Sequence, residues 1–462
     1  MKLLLVNPAA EQWRVLPGRR PPFSTRVFRF SMLTSLSVAA SAPDGVQVRI
    51  VDEEVEPVDF DADADVVGIS LMTFNAPRAY EIADRFRREK GRRVILGGYH
   101  PTFLPEEALE HADAVCVGEA ETSLPRMLED AGAGQLNGVY AGGPANLAAV
   151  RPFDRSLVSG GRYAPVSPLQ ATRGCGHGCS FCSITSFFGR AFRARPVADV
   201  VDELRGLGPR VLFLDDNLTA SRDHAAELFG AMAPLGKTWY SQCSVTLADD
   251  AELLRLAVRS GCRGLFIGFE SVSEGSLASW GKTFARARDY TRAVRKLHEA
   301  GIGVFAGIVL GGDADGPDVF ERTLEFLREA SIDALQATIL TPFPGTPLFA
   351  AMDREGRIVD RDWSHYDFRH VVFEPAGLSR EELQAGHDDV LTRFYSLGGV
   401  FSRLGREVRY LPLSTLLFAT APLGFGYRNR LRRDGTWRAT RRAASPRSRR
   451  ERPATFPSSG SG

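Results

Sequence analysis

The chain has 462 residues, enough for two or three domains with their own cores, and its 57 Lys and Arg against 56 Asp and Glu leave it almost neutral. That balance gives no overall argument for a nucleic acid or an acidic partner. Six cysteines, three crowded into one loop and Cys116, Cys243 and Cys262 isolated in apolar runs, argue against a disulfide framework and for a reducing cytoplasm.

From residue 1 to 140 the pattern alternates strand and helix. The apolar run after Met1 is too short for a signal peptide and reads as a first strand entering a turn at Pro8. Strands are expected over residues 2–6, 46–51, 66–71, 94–96 and 114–117, with helices over 76–88 and 106–111. Buried strands alternating with helices predict an α/β, doubly wound, Rossmann-like domain whose ligands lie beyond the carboxyl ends of the strands. Those ends carry Asn7, Ser70 to Thr73, Gly97-Gly98-Tyr99-His100-Pro101 and Val117-Gly118-Glu119-Ala120-Glu121. His100 suits a hydrogen bond to the backbone as well as it suits a ligand contact.

Residues 141–165, rich in Gly and Pro, read as a linker. Beyond it lies Cys175-Gly-His-Gly-Cys179-Ser-Phe-Cys182, three thiols at spacings of four and three on a glycine-rich loop. Such thiolates can converge on one soft metal centre. A [4Fe-4S] cluster held by three cysteines leaves one iron open to a small molecule, whereas a closed zinc site needs a fourth ligand, for which His177 is placed. This CxxxCxxC pattern, with Phe181 before its last cysteine, resembles the cluster loop of the radical SAM superfamily. The resemblance implies that the open iron is chelated by S-adenosylmethionine (SAM), whose reductive cleavage gives a 5′-deoxyadenosyl radical. Gly-Gly-x-His-Pro followed by Val-Gly-Glu-x-Glu resembles the cobalamin-binding domain found ahead of many radical SAM domains. No DxHxxG motif is present, which implies a corrinoid without a protein histidine on cobalt. On the same resemblance Asn7, Ser70, Thr73, Gly97, Gly98, His100 and Glu119 are the candidate cobalamin residues.

Strand and helix alternation resumes over residues 166–347. Strands are expected to end near Thr172 and to run over 210–217, 239–244, 265–271, 304–310 and 334–340, with helices over 197–207 and 221–233 between the earlier ones. Six such units predict a partial (β/α)6 barrel with its reacting centre at the carboxyl ends of the strands. Polar residues gather there: Asp215, Asp216 and Asn217, then Gln242 and Ser244, then Glu270 and Ser271 behind Gly268. Acidic and hydroxyl groups at such places also cap helices. By resemblance, Phe181, Asp215, Gln242, Ser244, Gly268, Glu270 and Ser271 lie where relatives contact SAM, carboxylates and hydroxyls matching its ammonium and ribose.

Residues 348–435 predict a mainly helical extension. Its segment from Glu355 to Phe373 resembles one shared within a branch of the cobalamin-dependent radical SAM proteins. Ser379-Arg-Glu-Glu382 is a capping box opening a helix to about Leu404, and residues 410–427 are apolar but broken by Pro412, Pro422 and Gly424. Arg428, Arg430, Arg432 and Arg433 follow, a combination that suits peripheral contact with an anionic membrane, or a core helix with a solvated end. Residues 436–462 read as a disordered basic tail. The resemblance thus implies a cobalamin-dependent radical SAM enzyme, cytoplasmic or membrane-peripheral. It would methylate an unactivated carbon of a small-molecule or lipid substrate and draw electrons from a low-potential flavodoxin or ferredoxin. A radical cyclase or rearrangement enzyme, a cobalamin or redox sensor and a zinc-stabilised binding module are the alternatives.

Overall fold

Two all-parallel sheets, most of whose strands are rich in apolar residues, organise the computed structural model, which describes residues 1–19, 28–158, 162–284, 286–434 and 436. The first contains β1 (Lys2–Asn7), β2 (Gln47–Asp52), β3 (Val66–Leu71), β4 (Arg93–Gly98), β5 (Ala114–Val117) and β6 (Gly138–Ala141), in the order β2-β1-β3-β4-β5-β6. Successive side chains feed two cores. Leu4, Val6, Val67 and Leu96 point to one face of the sheet, and Leu3, Leu5, Val66 and Ile95 to the other. The order reverses between β1 and β3, so the crevice for a ligand opens beyond Asn7 and Leu71. The sequence pattern missed β6, an edge strand that alternates half-buried and exposed residues and lacks the apolar run of its neighbours.

The second sheet follows β7 (Ser167–Leu169), with β8 (Thr172–Arg173) and β9 (Arg193–Ala194) forming a separate antiparallel ribbon. It continues through β10 (Arg210–Phe213), β11 (Thr238–Cys243), β12 (Cys262–Glu270), β13 (Gly303–Leu310) and β14 (Ala334–Ile339). Its order is β7-β10-β11-β12-β13-β14, the partial (β/α)6 barrel. The buried Trp239 ring lies between Phe213 and Phe229 at 5.7 and 5.1 Å, and its indole N–H is satisfied by Ser260 Oγ at 3.1 Å. The first barrel strand stops at Leu169, short of the expected Thr172. The buried Asp215 carboxylate accepts the N–H groups of Ala171 and Thr172 and draws the chain out of the sheet into the ribbon.

In the C-terminal extension the capping box forms as expected, Ser379 Oγ accepting the Glu382 N–H while the Glu382 carboxylate accepts the Ser379 N–H. The single helix expected to reach Leu404 is two helices, Arg380–Phe394 and Leu397–Glu407. Between them Tyr395 docks on β14, its hydroxyl donating to Leu335 O at 2.8 Å, and Ser396 caps the second helix by accepting the Gly399 N–H at 3.1 Å. The apolar stretch expected to be broken is helical over Leu413–Thr415, Leu416–Thr420 and Ala421–Arg433. Pro412 is the N-cap of this stretch, where a missing N–H costs little, and Pro422 follows directly on the π-helical turn Leu416–Thr420, where the hydrogen-bond register already changes. Among the described residues no helix is long and apolar enough to cross a membrane. The tail expected over 436–462 lies outside the described residues except for residue 436.

Glu407, 1% exposed and with Oε2 lacking a partner, is raised by burial, and then by Asp333, from its ordinary 4.5 to about 7. A carboxyl that binds its proton more tightly when folded adds stability that is full below about pH 4.5 and is lost as the pH rises through about 7. Glu407→Gln, which mimics the protonated form, is expected to remove about 2–3 kcal/mol of this pH dependence from urea unfolding measured between pH 5 and 8.

Candidate active site

The carboxyl ends of both sheets meet around the three-cysteine loop. Gly174 enters it with φ +86°, where a Cβ would stand 2.5 Å from Ala191 O, and its N–H donates to Asp216 Oδ2 at 2.9 Å. Cys182 is the N-cap of helix Ser183–Phe188 and its own N–H returns to Cys179 O at 3.1 Å. The loop is tied to the barrel by Ser180, whose N–H donates to Trp280 O and whose carbonyl accepts from Leu348, both at 3.0 Å.

Cys175, Cys179 and Cys182 are free, partly buried thiols. Burial pushes Cys179 up to about 11 against the pull of the Lys282 ammonium, and Cys182 and Cys175 raise it further. Thiols that feel one another's charge on one loop fit a shared metal cluster, whose iron would take them as thiolates. Among the described residues no group of three or more His, Cys, Asp and Glu side chains stands in single-ion geometry. His177, the fourth zinc ligand considered above, stacks on Phe284 at 3.6 Å.

Several expected contact residues serve the protein itself. Asp215, 2% exposed, spends its carboxylate on Ala171, Thr172 N–H and Thr172 Oγ1, so it holds the approach to the cysteine loop and not a ligand. Ser244 Oγ accepts the Thr246 N–H as the N-cap of Val245–Asp249, and Ser271 Oγ accepts the Ser273 N–H in the turn before helix Glu274–Ser279. The Phe181 ring packs edge-on against Trp280 at 5.4 Å. Gly98, at φ +106°, is required by Leu71 O, 2.5 Å from where a Cβ would stand. His100 is fully buried, with Nε2 3.1 Å from Glu107 Oε1, whose carboxylate also accepts from Tyr80 and Trp363, while its Nδ1, like Asn7 Nδ2, has no hydrogen-bond partner. Glu119 is locked in ion pairs with Arg173 and Arg193.

Others keep free capacity. The amide of Asn7 is buried at the crevice of the first sheet, its oxygen accepting from Ser35 Oγ at 2.8 Å while Nδ2 has no partner. An orphaned donor there fits an acceptor on a bound corrinoid. Ser70 and Gly97 stand half-buried at the ends of β3 and β4, and Thr73 is buried just beyond. Gln242 is exposed at the end of β11.

Glu270 closes β12 in the left-handed region, φ +66°, at a break in register with β13. Its Oε1 accepts from Lys282 Nζ at 2.8 Å, and the same ammonium, on a residue only 6% exposed, donates to Gly268 O at 2.7 Å. The space over Gly268 is therefore occupied by the Glu270 carboxylate. Gly268→Ala would push that carboxylate off its lysine and is expected to cost about 1–3 kcal/mol in thermal or urea unfolding. Lys282 escaped the sequence reading; the signal was a lysine in Trp280-Gly-Lys282, a turn following the fourth barrel strand.

Residues 25–128 match the B12 binding domain family, and residues 169–342 match the Radical SAM superfamily. The bacteriochlorophyllide d C-12(1)-methyltransferase of Chlorobaculum tepidum is 34% identical over 387 residues, 80% of this chain and 84% of that protein. The chain belongs to the cobalamin-binding radical SAM family. The hopanoid C-2 methylase of Rhodopseudomonas palustris is 26% identical over 395 residues, 81% of this chain and 73% of that protein. The structure of the methyltransferase TsrM from Kitasatospora setae, with cobalamin and a [4Fe-4S] cluster bound, shares the fold at a TM-score of 0.65 and 17% identity, covering 96% of this chain and 99% of that one. This family member is a radical SAM enzyme, a C-methyltransferase using SAM, a [4Fe-4S] cluster and cobalamin. The sensor and zinc-module alternatives fall with that membership.

Proposed function

We propose that the enzyme methylates an unactivated carbon of a chlorophyll-type tetrapyrrole. The observation that carries this reading is the 34% identity extending over 84% of a bacteriochlorophyllide methyltransferase. Cys175, Cys179 and Cys182 would hold the cluster. When bound, cluster and SAM supply a radical able to remove hydrogen from an unactivated carbon, and cobalamin supplies the methyl group.

The chain's own residues bind and orient. Asn7 Nδ2 and the Gly97 turn would receive the corrinoid. Glu270 suits the methionyl ammonium, Lys282 the carboxylate and Gln242 the ribose, each matched by charge or hydrogen-bonding capacity. The Tyr99 ring meets Phe187 at 4.5 Å, tilted by 34°, and Phe187 meets Phe188 edge-on at 4.8 Å, an aromatic cluster between the corrinoid turn and the cysteine loop that suits an apolar ring. The Tyr99 phenol is held well above its ordinary pKa by burial and then by Asp216, so it stays protonated and serves as a hydrogen-bond donor at neutral pH.

The division into a cobalamin domain over 1–140, a linker over 141–165, a barrel over 166–347 and an extension from 348 belongs to the same proposal. So does a low-potential flavodoxin or ferredoxin as electron donor in a reducing cytoplasm. We also infer peripheral membrane contact through the C-terminal helices. Phe401, Val408, Leu413, Leu417 and Phe418 are all more than half exposed there, and the run from Val408 to Arg433 holds five arginines and no acidic residue.

The substrate reading is tested by incubating reconstituted holoenzyme with SAM carrying a trideuteromethyl group and, separately, bacteriochlorophyllide or a hopanoid. Label in the tetrapyrrole is the expected result. Label in the hopanoid alone would move the substrate to lipids, and label in neither would sink both classes.

A further inference from the structure

The Val-Gly-Glu-x-Glu motif joins the first sheet to the cysteine loop. A continuous hydrogen-bonded path starts at the Gly97-Gly98 turn. Thr102 Oγ1 donates to Gly98 O at 2.7 Å and accepts the Gly118 N–H at 3.0 Å. Gly118 turns the chain so that the next residue, Glu119, faces the β8–β9 ribbon. Arg173 and Arg193 stand opposite each other in that ribbon. Glu119 Oε2 accepts from Arg173 Nη1 and Oε1 from Arg193 Nη2, both at 2.6 Å. Glu121 Oε1 accepts the other Arg173 nitrogen at 2.5 Å, and also Ser37 Oγ at 2.7 Å. Arg173 is two residues before Cys175.

Arg173 and Glu119 are 6 and 7% exposed, so these charges are out of water and must stay paired. Guanidinium forks on carboxylates accept a narrow range of geometries. A shift of the Gly97-Gly98 turn is therefore passed to the residue that enters the cysteine loop, and the reverse holds equally.

We propose that Glu119 and Arg173 are positioning residues that couple cobalamin binding at the Gly97-Gly98 turn to the geometry of the cluster loop. This rests on the reading above that the turn receives cobalamin and the loop the cluster. Coupling of two sites is reciprocal: if a filled cluster loop presents the turn in its binding geometry, cobalamin binds more tightly to the cluster-loaded protein, by the same factor as it favours the loaded loop.

The test titrates hydroxocobalamin, followed by its own absorbance, into cluster-free protein and into protein reconstituted with iron and sulfide and given SAM. About tenfold tighter binding to the loaded protein is expected. The two affinities are expected to converge in Glu119→Gln and in Thr102→Val. Thr102→Val cuts the path without touching a charge, so it decides the matter even if Glu119→Gln does not fold. Equal affinities in the unaltered protein, or a difference that survives in Thr102→Val, would overturn the proposal while leaving both cofactor sites standing. Failure to bind hydroxocobalamin at all would instead overturn the cofactor reading beneath it.

Discussion

Cys179→Ala is expected to abolish 5′-deoxyadenosine formation from SAM under dithionite, with the broad brown absorbance of the reconstituted protein reduced in the same preparation. The thiol leaves a loop that provides only three ligands, and the fourth iron position must stay open for SAM. Cys175→Ala and Cys182→Ala are expected to behave alike. Cys243→Ala and Cys262→Ala supply the contrast. Both thiols are buried in the barrel core, where burial pushes Cys243 up to about 12, and neither belongs to the loop. Their removal trims a small apolar side chain, with a cost of about 1–2 kcal/mol in stability and deoxyadenosine formation retained. Equal loss on replacing a core cysteine and a loop cysteine would mean that the assay reports folding.

Lys282→Met is expected to have the largest effect on stability, about 3–5 kcal/mol, because it leaves the Glu270 carboxylate buried without its partner. The pair is nearly out of water, with side-chain exposures of 7 and 17%, and Glu270 already sits in a backbone region that non-glycine residues seldom occupy. The double variant Glu270→Gln/Lys282→Met is expected to recover much of the loss, since it removes both charges together. Urea unfolding of the two singles and the double measures this directly. A double variant as damaged as the sum of the singles would show that the two side chains act independently.

The architecture was legible because it rests on strong periodic signals. Five strands of the first sheet and most of the barrel strands are short runs rich in apolar residues, and the cysteine spacing marks the loop at the head of the barrel. What was not legible depends on contacts distant in sequence. Nothing around Asp215 reveals that its carboxylate turns inward to Thr172, 43 residues away, and not outward to a ligand. Glu119 and Arg173 are 54 residues apart, so an ion pair between them leaves no local pattern, and an acidic strand end looks the same whether it meets an arginine or a cofactor. A core helix is one reading of residues 410–427, but its passage through Pro422 was not legible: Pro412 is only the N-cap, whereas Pro422 follows directly on the π-helical turn Leu416–Thr420, a local change of hydrogen-bond register that composition does not announce.

The most direct test of the central claim is an anaerobic assay of reconstituted protein with hydroxocobalamin, dithionite, SAM and the tetrapyrrole substrate, quantifying 5′-deoxyadenosine and S-adenosylhomocysteine together. A radical SAM C-methyltransferase consumes one SAM for the radical and another for the methyl group, so the two products are expected in step with each other and with methylated substrate. Deoxyadenosine rising on addition of substrate while S-adenosylhomocysteine stays at background would contradict methyl transfer and point to cyclisation or rearrangement at the same site.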